Sequence, residues 1–356
     1  MISVDHRGKN QGKEFEYLCV DDFMEDIFHA RALATAFEMG LIDTLIQHKS
    51  LSYTSLIKHG SRGSHGMRLL IGLLVKNRVV DHGDDVITLA EEFVHALKFR
   101  DLLELKSSLA NFAAHDFLNH FSELVYKPDQ FFHNAKFFRL FSYNQCLVPS
   151  KENYEATKRW MWITTLLTKY ESHACMKYHD FGKYRRILDI GGNSGEFMLQ
   201  ICRQNPDVTA TVLDLPLVCD VGQEHIRPEP EADRIKFLKG DALTDALPED
   251  FDLVTFKSML HDWPEREAIQ FIKNANRSLV PGGTLLIFER GPIEMTQTEI
   301  YYSMIPFLLF VHSFRAPAFY VKQLQDLDFQ EISVKNVCLD TPFFIVTAKK
   351  KNRKSP

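Results

Sequence analysis

The chain has 356 residues, 45% of them hydrophobic and 25% charged, with a formal net charge of −5. That length suits two domains rather than one, and the acidic balance gives a nucleic-acid partner no support. Six scattered cysteines, without a CxxC pair or a histidine at zinc-ligand spacing, fit reduced thiols in a cytoplasmic protein with no metal centre.

From the N-terminus, MISVDHRGKNQGKEFE is polar and lacks the apolar core of a signal peptide. The longest apolar run, Ile305–Val311 (IPFLLFV), falls far short of the roughly 20 residues that span a membrane. The first 180 residues read as almost entirely helical. Asp21–Leu45 carries apolar residues at helical spacing with Gly40 as its C-cap. Tyr53–Ile57, a Gly/Ser turn at Gly60–Gly66 and Met67–Leu74 predict short helices joined by tight turns. Val79–Leu89 (VVDHGDDVITL) predicts a small hairpin. Helix–turn–helix then hairpin is the winged-helix pattern, whose best-known use is on DNA. Its recognition helix here, HGMRLLIGLLVKN, is mostly apolar, which predicts burial rather than a place in a groove. Long amphipathic helices rich in Phe, Leu and Trp continue from Phe99 to Tyr178.

The pattern changes at Lys183. Strands alternate with helices from there: Arg186–Ile190, Thr209–Asp214, Ile235–Lys239, Leu253–Phe256 and Thr284–Phe288, then Glu331–Val337 and Phe343–Ala348 close together. This order predicts an α/β domain with a mostly parallel seven-stranded sheet and an antiparallel edge. The domain boundary is expected near residue 180, giving domains of 1–180 and 181–356. The basic tail Lys349–Lys354 (KKKNRK) reads as a solvated terminus.

Several of these strands end on a charged residue or run straight into one (Asp214, Lys239, Lys257, Glu289), and ligands of open α/β sheets bind outside the carboxyl ends of the strands. The first strand runs into Asp189-Ile-Gly-Gly-Asn-Ser-Gly195. Glycines at 191, 192 and 195 allow close backbone approach. Asn193 and Glu196 stand where a nicotinamide fingerprint needs glycine, and no GK[ST] follows for a phosphate loop. What remains, acid-x-Gly-x-x-x-Gly after a strand, is typical of methyltransferases that use S-adenosylmethionine (SAM). Asn193 replaces their usual middle glycine and tolerates left-handed backbone better than most residues. Asp214, 19 residues past Gly195, ends the second strand, where a carboxylate can accept both ribose hydroxyls, with Leu215 beside it. A helix N-cap before Pro216 is the alternative reading. Asp241 in KGDAL can reach an adenine edge with Ala242 and Leu243 against the ring, or can simply close a turn.

Methyl transfer from a sulfonium needs an aligned nucleophile roughly 3 Å away. A phenol titrates about three to four units above histidine, so full deprotonation in advance costs roughly 4–5 kcal/mol. A positioned base that takes the proton as the bond forms lowers that cost. His261 follows the fourth strand in FKSMLHDWPE, and Glu289 ends the next strand, placed to orient the imidazole. A purely structural histidine beside Asp262 and Trp263 is the alternative.

With AFEMGLIDTL, RLLIGLLVKNRVV, LDIGGNSG, VLDLP, KGDAL, LHDWP and PGGTLLIFE, the chain resembles the two-domain O-methyltransferases that include plant phenolic, acetylserotonin and bacterial polyketide enzymes. The match runs over most of the chain, and LHDWP at its distance from LDIGG is the specific part. The resemblance implies a Rossmann-like class I methyltransferase domain that binds SAM. It also implies an N-terminal winged-helix domain that makes an intertwined homodimer and binds no nucleic acid. His261 is then the base, Glu289 its partner and Lys257 a contact near the cofactor. One departure stands out. Where the family commonly places an acid before arginine, this chain reads His312-Ser-Phe-Arg-Ala-Pro317, so Phe314 replaces a second acid and Arg315 is kept. The acceptor pocket is expected to draw on Trp160, Met161, Asp262, Tyr301, Met304 and Phe307, and to suit a flat aromatic molecule.

O-methylation of a small aromatic secondary metabolite is the leading reading. Carbon or nitrogen methylation, or a non-methylating reaction on the same fold, is the enzyme alternative raised by Phe314. A SAM-sensing winged-helix regulator is the alternative of another class; it calls for a basic, exposed recognition helix.

Overall fold

The computed structural model describes residues 13–58, 64–141, 143–296 and 299–352. The chain divides into two compact units, Met1–Phe137 with Glu294–Leu309 and Phe138–Ile293 with Phe310–Pro356.

The first unit contains α1 (Ile27–Glu38), α2 (Leu41–His48), β1 (Ser50–Ser52), α3 (Tyr53–Lys58), α4 (Ser64–Lys76), β2 (Val80–Gly83), β3 (Val86–Leu89), α5 (Glu91–Ala96), α6 (Arg100–Tyr126) and α7 (Pro128–Asn134). The helical stretch expected over 21–45 is interrupted. Asp26 accepts a bond from His29 N and caps α1, while Gly40, at φ 68°, ends that helix and opens α2. The hairpin over 79–89 forms, and β1, too short to show a pattern in sequence, adds to it in the order β1-β3-β2. Of the turn expected at 60–66, residues up to 63 lie outside the described ones, and 64–66 already form the first turn of α4. Helix α4 is not buried all round, contrary to its apolar sequence. Leu70, Ile71 and Leu74 face the core, whereas Leu69 and Val75 are exposed.

The second unit begins at Phe138 with short helical turns and then the 28-residue α8 (Lys151–Tyr178), capped by Ser150, which accepts from Asn153 N. It continues through β4 (Arg186–Ile190), α9 (Glu196–Gln204), β5 (Thr209–Asp214), α10 (Pro216–Ile226), β6 (Ile235–Lys239), β7 (Phe251–Lys257), α11 (Glu265–Ser278) and β8 (Leu279–Arg290). The chain then supplies a segment of the first unit with the short helix α12 (Ile305–Leu308), and returns for α13 (Pro317–Asp326), β9 (Gln330–Cys338) and β10 (Pro342–Lys349). That segment is tied into the first unit by Asp21, a buried carboxylate that accepts from Lys106 Nζ at 2.8 Å and from Ser303 Oγ at 2.6 Å.

The units divide at Phe137/Phe138 rather than near residue 180, because α8 packs on the α/β core. Its Trp160 and Met161 are buried with Leu217, Val218 and Val221 of α10. Thr165 Oγ1 of the same helix bonds Ser194 Oγ at 2.7 Å. The sheet has the order β6-β5-β4-β7-β8-β10-β9, with β10 antiparallel to both β8 and β9 and the other neighbours parallel. The strand order reverses at β4, so the crevice of this doubly wound fold opens at the carboxyl ends of β4 and β7.

Candidate active site

The turn after β4 presses down on the strand ends. Gly191 has φ 67°, and a Cβ there would stand 2.5 Å from Met259 Cγ. At Gly192 a Cβ would meet Asp189 Oδ2 at 2.6 Å and Val212 Cγ1 at 2.8 Å. These glycines are therefore required by the protein's own side chains, ahead of any ligand. Gly195 opens α9. Asn193 takes the left-handed conformation at φ 55°, and its Oδ1 accepts from Ser194 N at 2.8 Å and Thr164 Oγ1 at 3.3 Å. A side-chain amide thus does locally what a glycine does by lacking a Cβ.

Asp214 ends β5 and holds this turn. Its Oδ2 accepts from Asn193 N at 2.8 Å and its Oδ1 from Leu215 N at 2.7 Å. It does not cap α10, whose N-cap is Leu215 with Pro216 at the first turn. Burial raises its pKa to about 6, against the lowering effect of the two backbone bonds. Asp189 is fully buried: Oδ1 accepts from Thr255 Oγ1 at 2.6 Å and Oδ2 has no partner in the structure. Desolvation raises its pKa to about 7. Asp241 uses Oδ1 to accept from Leu243 N at 2.9 Å and so braces its own turn. Asn274 of α11 pins that turn from behind, donating to the carbonyls of Ala242 and Leu243.

His261 lies in the turn after β7, opposite the end of β8. Its Nδ1 is 2.6 Å from Glu289 Oε2, and Glu289 Oε1 accepts from Met259 N at 2.8 Å and Leu260 N at 2.7 Å. A fully buried carboxylate with one oxygen taken by two backbone donors receives Nδ1–H on the other and leaves Nε2 as the ring's acceptor. Burial alone would lower the pKa of the imidazole, but Glu289 and Asp262 outweigh it and raise it. Phe314, in place of the second acid, lies edge-on to the ring with centroids 5.4 Å apart. Arg315 fastens the turn on both sides, donating to Leu260 O at 2.9 Å and to Trp263 O. Asp262 accepts from the hydroxyl of Tyr143 at 2.7 Å.

Lys257, at the end of β7, is engaged with α8. Its ammonium bonds Thr168 Oγ1 at 2.9 Å and pairs with Glu171 of α8, which also pairs with Arg290. Burial pushes the Glu171 carboxyl up, but these two cations prevail and lower it. Trp160 and Met161 are buried against α10. Tyr301, Met304 and Phe307 belong to the first unit, where Met304 and Phe307 are buried. Tyr143, Arg315 and Asn274 act through contacts with residues over 50, and up to 119, positions away or with backbone carbonyls, which no local spacing announces; for Arg315 the signal was its survival beside Phe314.

A doubly wound, seven-stranded sheet with an acid closing its second parallel strand and a glycine-rich turn after its first is the class I methyltransferase fold. A family model described as an O-methyltransferase domain matches residues 127–320, and the chain belongs to that family. It is similar to 3-hydroxy-5-methyl-1-naphthoate 3-O-methyltransferase of Streptomyces sahachiroi, 37% identical over 110 residues that make up 31% of this chain and 32% of that one. The chain spans about a third of the length of the curated relatives it matches first, 32% and 36%. The solved structure of mitomycin 7-O-methyltransferase aligns with a TM-score of 0.66 at 19% identity, over 90% of this chain and 94% of that one. The N,N-8-amino-8-demethyl-D-riboflavin dimethyltransferase from Streptomyces davawensis aligns at 0.64 and 18% identity, over 90% and 95%. At such identities the likeness is one of fold.

Proposed function

We propose that this protein moves a methyl group from SAM to a hydroxyl of a small aromatic acceptor, with His261 as general base. The observation that carries the reading is the His261–Glu289 pair at 2.6 Å, which in the neutral ring takes the proton on Nδ1 and leaves Nε2 to accept one. The sulfonium of SAM supplies an activated methyl group; the protein's part is to bind, align and take a proton.

The residues present fit that cofactor. Each oxygen of Asp214 keeps a lone pair after its backbone bond, enough for two ribose hydroxyls. Asp189 Oδ2 is a buried acceptor without a donor in the protein. Asp189, Gly191, Gly192, Gly195, Asp214, Leu215, Asp241 and Ala242 are the proposed cofactor contacts. Lys257 supports them indirectly, by tying β7 to α8. Neutral His261 receives the acceptor's proton on Nε2, and Glu289 stabilises the imidazolium that results. Because Glu289 and Asp262 raise the pKa of His261 above histidine's ordinary value, turnover rises with pH as the ring loses its proton. Trp160, Met161 and Asp262 are the proposed acceptor-side residues of the second unit.

We further propose a homodimer made through the N-terminal unit, working in the cytoplasm. Phe28 of α1 and Leu118, Val125 and Tyr126 of α6 are exposed large apolar side chains of the kind that mark an interface. The mass in solution tests this: a monomer at micromolar concentration contradicts it. None of the six cysteines forms a disulfide, which suits a reducing compartment.

The activity is tested with radiolabelled SAM and a panel of phenols. Transfer by the wild type, lost at least about 100-fold in His261→Asn with SAM affinity kept, is expected; undiminished turnover in the variant overturns the base. Nitrogen acceptors are a second reading, favoured by the Phe314 ring where a carboxylate would brace the histidine. Aromatic amines in the same panel decide between the two.

A further inference from the structure

Asp262 stands between the base and a tyrosine that no sequence motif singles out. Tyr143 belongs to the short helical turn Tyr143–Leu147 of the second unit. Its ring stacks on Trp263, with centroids 6.3 Å apart and planes at 16°, and meets Trp160 edge-on at 5.6 Å. These rings fix the phenol, and its hydroxyl donates to Asp262 Oδ2 at 2.7 Å. The other oxygen of Asp262 lies 3.4 Å from His261 Nε2. A formed bond between an imidazolium and a carboxylate spans about 2.7–2.9 Å. The carboxylate is therefore held about half an ångström short of capturing the nitrogen that must receive the acceptor's proton.

We propose that Tyr143 is a positioning residue: its hydroxyl tethers Asp262 so that this carboxylate stays near His261 Nε2 without closing on it. The inference rests on His261 being the base. Two carboxylates flank the ring, Glu289 at Nδ1 and Asp262 at Nε2, and they have opposite consequences. Engagement of Nδ1 fixes the useful tautomer. Engagement of Nε2 would lock the proton on and leave the acceptor nothing to donate to. The tether separates these two cases. The hydroxyl also draws charge from Asp262, which weakens its hold on the imidazolium at a distance.

The other charged or titratable groups that face His261 stay in place when the tether is removed. Glu289 and Arg290 come from β8, and Arg315 is spent on the carbonyls of Leu260 and Trp263. Tyr320 of α13 is buried near Glu289 and Arg315. Phe314 covers the remaining side with an uncharged ring. Removing one hydroxyl from Tyr143 thus changes only what Asp262 can do.

The test is a titration of His261 by NMR on histidine-labelled enzyme, its signal assigned by its loss in His261→Asn. Tyr143→Phe keeps both ring contacts. In this variant Asp262 closes on Nε2, and the pKa of His261 rises by about half a unit to one unit. Turnover near neutral pH falls several-fold and recovers at higher pH, with the KM for SAM unchanged. In an Asp262→Asn background the same tyrosine change moves neither quantity. An unmoved or lowered titration in Tyr143→Phe, or an upward shift that persists with Asp262→Asn, overturns the tether. Turnover retained by His261→Asn overturns the base and with it the catalytic meaning of the tether. An unmoved titration with turnover lost in His261→Asn overturns the tether alone.

Discussion

Glu289→Gln is the most informative single substitution at the site, because it keeps the shape and removes only the charge. Glu289 is fully buried and makes three bonds, one oxygen accepting from Met259 N and Leu260 N and the other facing His261 Nδ1. Glutamine has one acceptor oxygen. If its NH2 turned toward the two backbone donors, three donors would meet, and two buried N–H groups would go unsatisfied at about 1–3 kcal/mol each. The amide oxygen therefore stays with the backbone and the NH2 faces His261. That forces Nδ1 to accept, puts the ring proton on Nε2, and turns the base into a donor. Loss of a positioned base lowers kcat by about 10²- to 10⁴-fold. Glu289 also raises the pKa of the imidazole, so the acid limb of whatever activity remains moves to lower pH. Initial rates from about pH 5 to about pH 9, with SAM affinity measured alongside, read both effects. A kcat within about threefold of wild type, or an acid limb that does not move, refutes the tautomer argument.

Two further substitutions test the crevice. Asn193 holds φ 55° with a bond from Thr164, so Asn193→Ala loses about 1 kcal/mol or more to left-handed strain. Asn193→Gly melts close to wild type, and equal melting of the alanine variant contradicts the account. Asp189 keeps its proton to about pH 7 when folded, against 3.8 in the unfolded chain. The folded state then binds the extra proton, so this stability is full at low pH and is lost as pH rises through about 7, by an amount of order 4 kcal/mol. Asp189→Asn removes the dependence. Urea unfolding is expected to show the variant gaining on wild type from about pH 4 to about pH 7, with the gap level above that, and a gap constant over the whole range refutes it.

The parallel half of the sheet was legible because each strand is a short, largely apolar run that stops at a charged residue or a glycine. Arg186–Ile190, Thr209–Asp214 and Ile235–Lys239 have the same ends in the structure as in the pattern. Strand β8 starts at Leu279, five residues before the apolar run, since Pro281 and the two glycines after it carry no strand signal. Strand-end positions also brought His261 and Glu289 together on paper. They could not show that α8 belongs with the α/β core, because an amphipathic stripe tells that a face is buried but not against what. Nor could they show Lys257 turned toward Glu171, or Tyr143 reaching Asp262 across 119 positions. Such pairs are set by tertiary packing, where chain distance carries no information.

The central claim is that the crevice at β4 and β5 takes SAM and that Asp214 holds it. Calorimetric titration with SAM and with its demethylated product tests this most directly, on the wild type and on Asp214→Ala. The account predicts about micromolar binding to the wild type and a loss of at least about 100-fold in the variant, which lacks both ribose acceptors. Equal affinity in the two proteins, or no binding to the wild type, would contradict it.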